Sequence, residues 1–253
     1  LIFSHLAAAV STIFPDGEEF FMASVRQYRD HITDPELKRQ VAGFIGQESV
    51  HGREHRQLNE RFAALGYPTR ACEWMMRFYV NVHSRRRPLT RLAHTAALEH
   101  VTATLAEAFL SEPGAADVFG PTVRDIVLWH SLEEAEHKAV TFDVYRLMGG
   151  SERRRRLSAL ETSWNIMLGG AIFMTLGLLL DRETYRRGNL RRSWREFKAW
   201  PLASRDFWRK LKEYDRPGFH PNDQDTSGLV EQWRAELFSD AGSLTPLLAT
   251  RAS

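Results

Sequence analysis

Apolar residues recur along the chain at intervals of three and four positions, and alternation of apolar and polar residues is not sustained anywhere. Spacings of three and four place side chains on one face of an α-helix, whereas a half-buried strand requires alternation. The pattern therefore predicts an all-α protein. Prolines and glycines between the periodic segments are expected to mark the helix ends.

These prolines and glycines divide the first 150 residues into four long helices and one short helix. We predict a first helix that begins at Pro15-Asp16, with Asp16 as its N-cap, and a second that begins at Asp34-Pro35. The full set is Asp16 to Tyr28, Asp34 to Gly66, a short helix at 74–82, Leu89 to Leu110 ended by Glu112-Pro113-Gly114, and Pro121 to Met148.

Beyond Gly150 the pattern predicts shorter helices. One or two amphipathic helices are expected between Arg182 and Tyr214, and a last helix from Gly228 to Phe238. Four long helices followed by short ones are typical of a four-helix bundle with additional C-terminal helices. We assign residues 1–150 to the bundle and residues 151–253 to a C-terminal helical extension packed on it.

Composition excludes several classes of function. The chain has 253 residues, a single cysteine, Cys72, and a formal net charge of +2. One thiol can form neither an internal disulfide nor a cysteine-based zinc site, and it is compatible with a reducing cytoplasm. A balanced charge lacks the basic surface of nucleic-acid-binding proteins, so no nucleic-acid partner is expected. The arginine clusters at 85–87, 153–156 and 191–192 are expected at solvated turns or helix ends.

The most apolar segment extends from Trp164 to Leu180. It is shorter than the ~20 residues that a membrane-spanning helix needs, and Asn165 and three glycines weaken it further. A helix packed inside the protein is the leading interpretation. Peripheral membrane contact through 164–180, with arginines on both sides, is the alternative. No signal peptide is visible, so a cytoplasmic location is expected, with membrane association left open.

The second predicted helix carries ionisable residues in the middle of its apolar face. Glu48, His51 and His55 lie on the same face as Val41 and Phe44. Burial of carboxylates and imidazoles costs free energy unless they are paired or bind a metal. The fourth helix repeats the pattern, since His130, Glu134 and His137 occupy the centre of its core-facing stripe.

Both helices contain the motif Glu-x-x-His, as Glu48 to His51 and Glu134 to His137. A separation of three residues places the carboxylate and the imidazole about one helical turn apart on the same face, where they can hold one metal ion. A network of buried acid–histidine pairs without metal is the alternative interpretation.

The other two long helices each offer an inward carboxylate. Glu18 lies on the apolar face of the first helix, and Glu99 lies on a face of the third helix that is rich in alanine; Glu107 is the second choice there. One carboxylate from each of two helices, with one Glu-x-x-His from each of the others, is the ligand set of dinuclear carboxylate proteins with a ferritin-like bundle.

Five segments, "FPDGEEFF", "FIGQESVHGREH", "ALEHVTA", "WHSLEEAEHKAV" and "RPGFHPNDQD", together resemble a bacterial family labelled predicted metal-dependent hydrolase. The resemblance extends from about Ser11 to Phe238 and implies a ferritin-like fold and a hydrolytic reaction. The metal motifs alone also resemble those of di-iron arylamine N-oxygenases, which carry a third histidine on the last core helix. That resemblance implies seven ligands: Glu18, Glu48, His51, Glu99, His130, Glu134 and His137.

The predicted function is a dinuclear metalloenzyme that activates dioxygen, as co-substrate, to oxidise a small hydrophobic organic molecule. Hydrolysis through a metal-bridging water is the alternative, and metal storage or electron transfer is the third hypothesis. Two iron ions are the first choice of metal, although nitrogen and oxygen ligands also suit manganese and zinc. An electron-donor protein and a second copy of the chain are the remaining partners considered.

Several other ionisable residues are assigned by their position. His55, one turn beyond His51, is the candidate catalytic residue, as a proton donor, a further ligand or a partner that orients a ligand. Glu133 and Glu136 are expected to be exposed or paired with arginine and lysine. His94 and His100 lie off the Glu99 face and are expected to be ordinary. Asp143 is either an outer partner of the site or part of a plain salt bridge, and His220 is expected in a turn, packed against a tryptophan.

Overall fold

The computed structural model describes residues 1–112 and 114–246, which contain α-helices and no strand, so the all-α prediction is confirmed. The helices are α1 (Ile2–Arg26), α2 (Pro35–Ala64), α3 (Thr69–Ser84), α4 (Pro88–Ser111), α5 (Pro121–His137), α6 (Val140–Leu147), α7 (Glu152–Leu180), α8 (Asn189–Lys198), α9 (Arg205–Glu213) and α10 (Ser227–Phe238). Pro113, expected to help end the third long helix, lies outside the described residues.

Helices α1, α2, α4 and α5 pack against one another and surround the site described below. The side chains between them form two apolar clusters. One contains Phe21, Val41 and Phe44, and the other contains Phe109 and Leu132. Along α1 and α4, Glu18 and Glu99 fall between the residues of one cluster and those of the other.

Helix α2 begins as predicted, because Asp34 accepts hydrogen bonds from the backbone amides of Glu36 and Leu37 and Pro35 occupies the first helical position. Proline there costs nothing, since the first amides of a helix have no partner within it.

Helix α1 differs from its prediction, because it begins at Ile2 and continues through Pro15. Proline has no amide hydrogen, so the carbonyl four residues earlier, that of Ser11, loses its helical partner. Asn59 on α2 replaces that partner, since its side-chain amide donates to the Ser11 carbonyl at 3.1 Å. Asp16 is not an N-cap; its carboxylate accepts from Arg77 at 3.2 Å.

The fourth predicted helix is two helices, because α5 ends at His137 and α6 begins at Val140. Lys138 lies at the break, and its ammonium donates to the backbone carbonyl of Gln224 and to the hydroxyl of Thr226. Lysine and alanine both favour helices, so the sequence predicts continuity there, and the tertiary contact overrides that local preference.

Helix α7 is continuous over 29 residues, and its apolar part is mostly exposed. Only 11% of its most apolar 18-residue window is buried, so the interpretation of 164–180 as a packed interior helix is wrong. Arg155, Ser158 and Thr162 are buried near its start, whereas Phe173 and Gly177 are the buried residues of the apolar part. Among the described residues, this one helix is long and apolar enough to cross a membrane.

The C-terminal segment folds back onto the other helices. Trp200 packs edge-on against Phe3, with ring centroids 4.4 Å apart, and its indole donates to the Ala115 carbonyl at 3.2 Å. Arg155 is fully buried and donates to the carbonyls of Tyr214 and Arg216. The expectation that the arginines of its cluster are solvated is therefore wrong for this residue.

Candidate metal centre

Eight ionisable side chains converge between α1, α2, α4 and α5. Each is at most 4% exposed, which is rare for glutamate unless it is paired or bound to a metal. They are the seven predicted ligands and His55: Glu18 from α1; Glu48, His51 and His55 from α2; Glu99 from α4; and His130, Glu134 and His137 from α5.

The donor atoms divide into two sets that share Glu48 and Glu134. In one set, His137 Nε2 lies 3.2 Å from Glu48, 3.5 Å from Glu99 and 3.6 Å from Glu134. In the other, His51 Nδ1 lies 3.7 Å from Glu48 and 3.9 Å from Glu134. Two ligands of one tetrahedral zinc ion are about 3.4 Å apart, given metal–ligand bonds of about 2.0–2.1 Å.

His130 makes the two sets unequal. Its Nε2 lies 2.9 Å from Glu134 and 3.8 Å from Glu18, on the side that also holds His51. One set therefore offers two imidazoles and the carboxylate of Glu18, whereas the other offers the imidazole of His137 and the carboxylate of Glu99, each together with the shared glutamates.

Most of these donor atoms form no hydrogen bond. Both carboxylate oxygens of Glu18, Glu48 and Glu99 lack a hydrogen-bond partner, as do His51 Nδ1 and His137 Nε2. Buried polar atoms are almost always hydrogen-bonded, because an unpaired one costs the free energy of its lost hydration. Converging oxygen and nitrogen atoms of this kind fit metal ions, which satisfy several such donors at once.

The electrostatic environment of Glu18 and Glu99, the carboxylates that belong to one set each, also favours a bound cation. Burial raises the pKa of Glu18 well above its ordinary value, and the neighbouring Glu48 carboxylate raises it further. The pKa of Glu99 is raised well above its ordinary value by the same two causes. In the absence of a cation, both groups therefore favour their protonated form more than an exposed carboxyl group does, since another buried negative charge beside Glu48 is unfavourable.

The shared carboxylates are stabilised by histidines. Burial alone would raise the pKa of Glu48, but the nearby imidazoles of His137 and His51 lower it below its ordinary value. Burial lowers the pKa of His51, but Glu133 and Glu48 outweigh it and raise that pKa to about 9. In the metal-free protein, protonated His51 therefore balances the negative charge of the carboxylates that a metal ion would otherwise balance.

Outer hydrogen bonds fix which nitrogen of two imidazoles faces the cluster. His51 Nε2 donates to Glu133 at 2.8 Å, and Trp129 donates to the other oxygen of Glu133 at 2.9 Å. His137 Nδ1 donates to the side-chain amide oxygen of Gln47 at 3.1 Å. His51 Nδ1 and His137 Nε2 are thereby directed at the carboxylates, the arrangement found around metal-binding histidines.

Glu133 and Gln47 were missed as site residues by sequence reasoning. Glu133 was expected to be exposed or paired with arginine or lysine, which is wrong, because it binds His51 and Trp129. Its position four residues after Trp129 was a usable signal, since side chains at that spacing meet on a helix. Gln47 gave no comparable signal.

A longer hydrogen-bond chain orients His130. Asn59 Nδ2 donates to the Ser11 carbonyl that Pro15 leaves free, so Asn59 Oδ1 accepts from the Ser11 hydroxyl at 2.7 Å. Ser11 Oγ then accepts from His55 Nδ1 at 2.9 Å, and His55 Nε2 accepts from His130 Nδ1 at 2.7 Å. This order of donors leaves His130 Nε2 with its lone pair towards Glu134 and Glu18, as metal binding requires.

A cavity of about 80 Å³ lies against one side of the cluster. Its polar walls include His55, His130 and Glu134, together with Thr102, whose hydroxyl donates to Glu134 at 2.5 Å. The remaining walls are mostly apolar, and among the described residues no lysine or arginine lines it. Its apolar lining includes Phe3, Leu6, Val10, Phe14, Leu58, Phe62, Leu105, Phe109, Phe119, Val123, Val127, Trp200 and Leu202.

Other candidate residues lie outside the cluster. Glu107 pairs with Lys210 at 2.6 Å. His220 Nε2 lies 2.8 Å from Asp143, and its ring packs edge-on against Phe142 rather than a tryptophan, so the expected tryptophan contact is wrong. Asp143 thus forms a hydrogen-bonded pair with the turn that contains His220.

Fold and site together define an all-α protein with a buried carboxylate–histidine site that could hold metal ions. The chain belongs to the family described as predicted metal-dependent hydrolase, whose model matches residues 1–225. The resemblance to this family noted in the sequence is therefore confirmed. No curated protein and no solved structure matches the chain.

Proposed function

We propose that the protein is a metal-dependent hydrolase that holds two metal ions through Glu18, Glu48, His51, Glu99, His130, Glu134 and His137 and acts on a small, neutral, apolar substrate. One observation carries the proposal: two sets of converging donor atoms, most of them without a hydrogen bond, share Glu48 and Glu134 and lie beside an apolar cavity. The family description favours hydrolysis over the dioxygen activation that ranks first from the sequence motifs.

Two metal ions bound there would supply Lewis-acid polarisation of a scissile carbonyl and would lower the pKa of a water molecule. The protein's own side chains position this chemistry. His130 and Glu134 belong to both the cluster and the cavity wall. His55 and Thr102 also line the cavity and hold these two ligands by hydrogen bonds. In this proposal His55 is a positioning residue.

The cavity lining favours a neutral ester or amide over a phosphate ester. Arginine and lysine are the usual partners of phosphate groups, and the described part of the cavity wall has neither. A wider groove of about 770 Å³ lies between α1, α7 and α8, and Leu6 lines both spaces. An apolar substrate could therefore enter past Leu6 from the side on which α7 lies.

The proposal is tested with metal-free protein reconstituted separately with zinc, manganese or iron(II). We expect metal-dependent hydrolysis of p-nitrophenyl esters, with rates that depend on the length of the acyl chain. Glu134→Gln should reduce the rate at least about a hundredfold, the scale of losing one preorganised catalytic contact. Glu60→Gln, an exposed control on α2, should not. Equal rates with and without metal would contradict the proposal.

Oxidation by dioxygen is the second candidate function. The ligand pattern supports it, since one carboxylate from each of two helices and one Glu-x-x-His from each of two others characterise di-iron and di-manganese bundles. The additional imidazole of His130 also tunes a metal that must change its oxidation state. Iron(II)-loaded protein that consumes oxygen in the presence of a reductant, without ester hydrolysis, would favour this function over the first.

We also propose that α7 contacts a membrane surface. Trp164 and Leu168 are exposed on it, and α3, which packs beside α7, exposes Trp74 and Phe78. The exposed Arg153 and Arg156 precede the apolar part and Arg182 follows it, which suits anionic lipid headgroups. An electron-donor protein and a second copy of the chain remain predictions.

A further inference from the structure

A second group of metal-binding side chains lies outside the candidate centre. His83 is in the last turn of α3, His94 is on α4 and Glu161 is on α7. One donor atom from each lies within 4.8 Å of the other two. His94 and Glu99 are five residues apart on α4, which turns their side chains about 140° from each other. This group therefore faces away from the candidate centre.

Both histidines present an unpaired nitrogen to Glu161. His83 and His94 are 3% and 0% exposed, and neither Nε2 atom forms a hydrogen bond. His83 Nδ1 donates to the Tyr79 carbonyl at 2.9 Å, which leaves the lone pair on Nε2. His94 Nδ1 lies 3.1 Å from the Thr162 hydroxyl, which can accept its proton. Each imidazole thus has one nitrogen anchored and the other available as a ligand.

The distances match shared ligation better than hydrogen bonding. His83 Nε2 lies 3.4 Å from one oxygen of Glu161, and His94 Nε2 lies 3.5 Å from the other. A charge-assisted hydrogen bond is about 2.7–2.9 Å long, whereas ligands of one tetrahedral zinc ion are about 3.4 Å apart. Burial lowers the pKa of His94 to about 3, so this imidazole is neutral and its lone pair faces a carboxylate. A cation between them removes that repulsion.

We propose that His83, His94 and Glu161 bind one divalent transition-metal ion of the zinc type, separate from the candidate centre, and that this ion joins α3 and α4 to α7. Two imidazoles and one carboxylate form a donor set that suits zinc. Arg86 donates to Glu161 at 2.8 Å and fixes the carboxylate while reducing its negative charge. The Glu161 side chain is 38% exposed, so solvent reaches the remaining coordination position.

The test counts zinc in chelator-stripped protein after dialysis against zinc and buffer, by plasma mass spectrometry. His83→Ala and Glu161→Gln should each bind one equivalent less than the unmodified protein, and His31→Ala, an exposed histidine, should bind the full amount. Glu161→Gln preserves the size of a half-exposed side chain, so it tests the site even where His83→Ala does not fold.

A second measurement separates this site from the candidate centre. In a Glu48→Ala/Glu134→Ala background, one zinc equivalent should remain and should raise the thermal unfolding temperature, and adding Glu161→Gln should abolish both effects. Equal zinc content in the presence and absence of Glu161→Gln, in either background, would overturn the proposal. Because the background removes the shared ligands of the candidate centre, failure here leaves the proposed hydrolase function untouched.

Discussion

Two regions depart from the usual distribution of side chains, and they do so in opposite ways. One is the interior between α1, α2, α4 and α5, and the other is the outer face of α7. The interior buries four glutamates and four histidines, whereas α7 exposes residues such as Trp164, Leu168 and Leu180. Buried charge and exposed large apolar side chains are the informative departures from ordinary burial, because each costs stability unless something outside the chain compensates for it. We propose a metal ion as that partner in the first region and a lipid surface in the second.

The largest expected difference between the regions is in stability. Removing metal with a chelator should lower the free energy of unfolding by about 3–5 kcal/mol, because it leaves buried charges without a partner. That corresponds to a fall in unfolding temperature of roughly 10 °C. Leu168→Ser on α7 should change stability by less than about 0.5 kcal/mol, since Leu168 is exposed. Thermal unfolding followed by circular dichroism measures both changes in stability. An unfolding temperature that the chelator does not lower would contradict the proposed difference between the two regions.

The next effect is the dependence of metal affinity on pH. Without metal, Glu18 and Glu99 have a raised pKa, and the pKa of His51 is raised to about 9, so all three groups bind protons more strongly than exposed groups of their kind do. A metal ion must displace those protons, and affinity should therefore fall as pH falls, by roughly tenfold per pH unit for each proton displaced.

Titration calorimetry in two buffers of different ionisation enthalpy would measure the released protons directly. An affinity that is constant from pH 8 to pH 6 would contradict this account of the charges. None of these titrating groups lies on α7, so the prediction applies to the interior region alone and distinguishes it from the face of α7.

A matched pair of serines on α1 tests the hydrogen-bond chain to His130. Ser11 and Ser24 are both buried, but only Ser11 contacts His55. Ser11→Ala should weaken metal binding about 10–100-fold, the usual effect of losing a partner that orients a ligand. Ser24→Ala should leave affinity unchanged although it costs a comparable hydrogen bond. Equal affinities in the two variants would show that the chain does not orient His130.

The smallest expected effect concerns α7. Leu168→Ser should weaken binding to anionic phospholipid vesicles about tenfold, since burying one leucine contributes about 1.5–3 kcal/mol. Val118 is 53% exposed and belongs to the loop between α4 and α5 rather than to α7 or α3, so Val118→Ser should bind as the unmodified protein does. Vesicle sedimentation measures this. Absence of binding by the unmodified protein would leave α7 without the partner proposed for it.

The sequence predicted the candidate centre because its ligands repeat along helix faces. Glu48 and His51, like Glu134 and His137, occupy core positions in otherwise apolar stripes, and helical periodicity alone brings them to one side. The start of α2 at Asp34 was predictable for a similar reason, because capping depends on neighbouring residues.

Features that depend on tertiary contacts could not be predicted in this way. Pro15 suggested a helix start, and only the contact with Asn59 accounts for a helix that continues through it. Hydropathy does not distinguish an apolar helix that is buried from one that is exposed, so α7 was assigned to the interior. His94 looked ordinary because its neighbours His83 and Glu161 are contributed singly by two other helices.

The most direct test of the central claim is the metal content of protein purified from its native host, compared with that of Glu134→Ala and His137→Ala. The account predicts that both variants fold and lose metal from the candidate centre, because Glu134 belongs to both sets of donor atoms and His137 to one. Glu60→Gln on the exposed side of α2 should retain the full content. Full metal retention in both Glu134→Ala and His137→Ala would contradict the account.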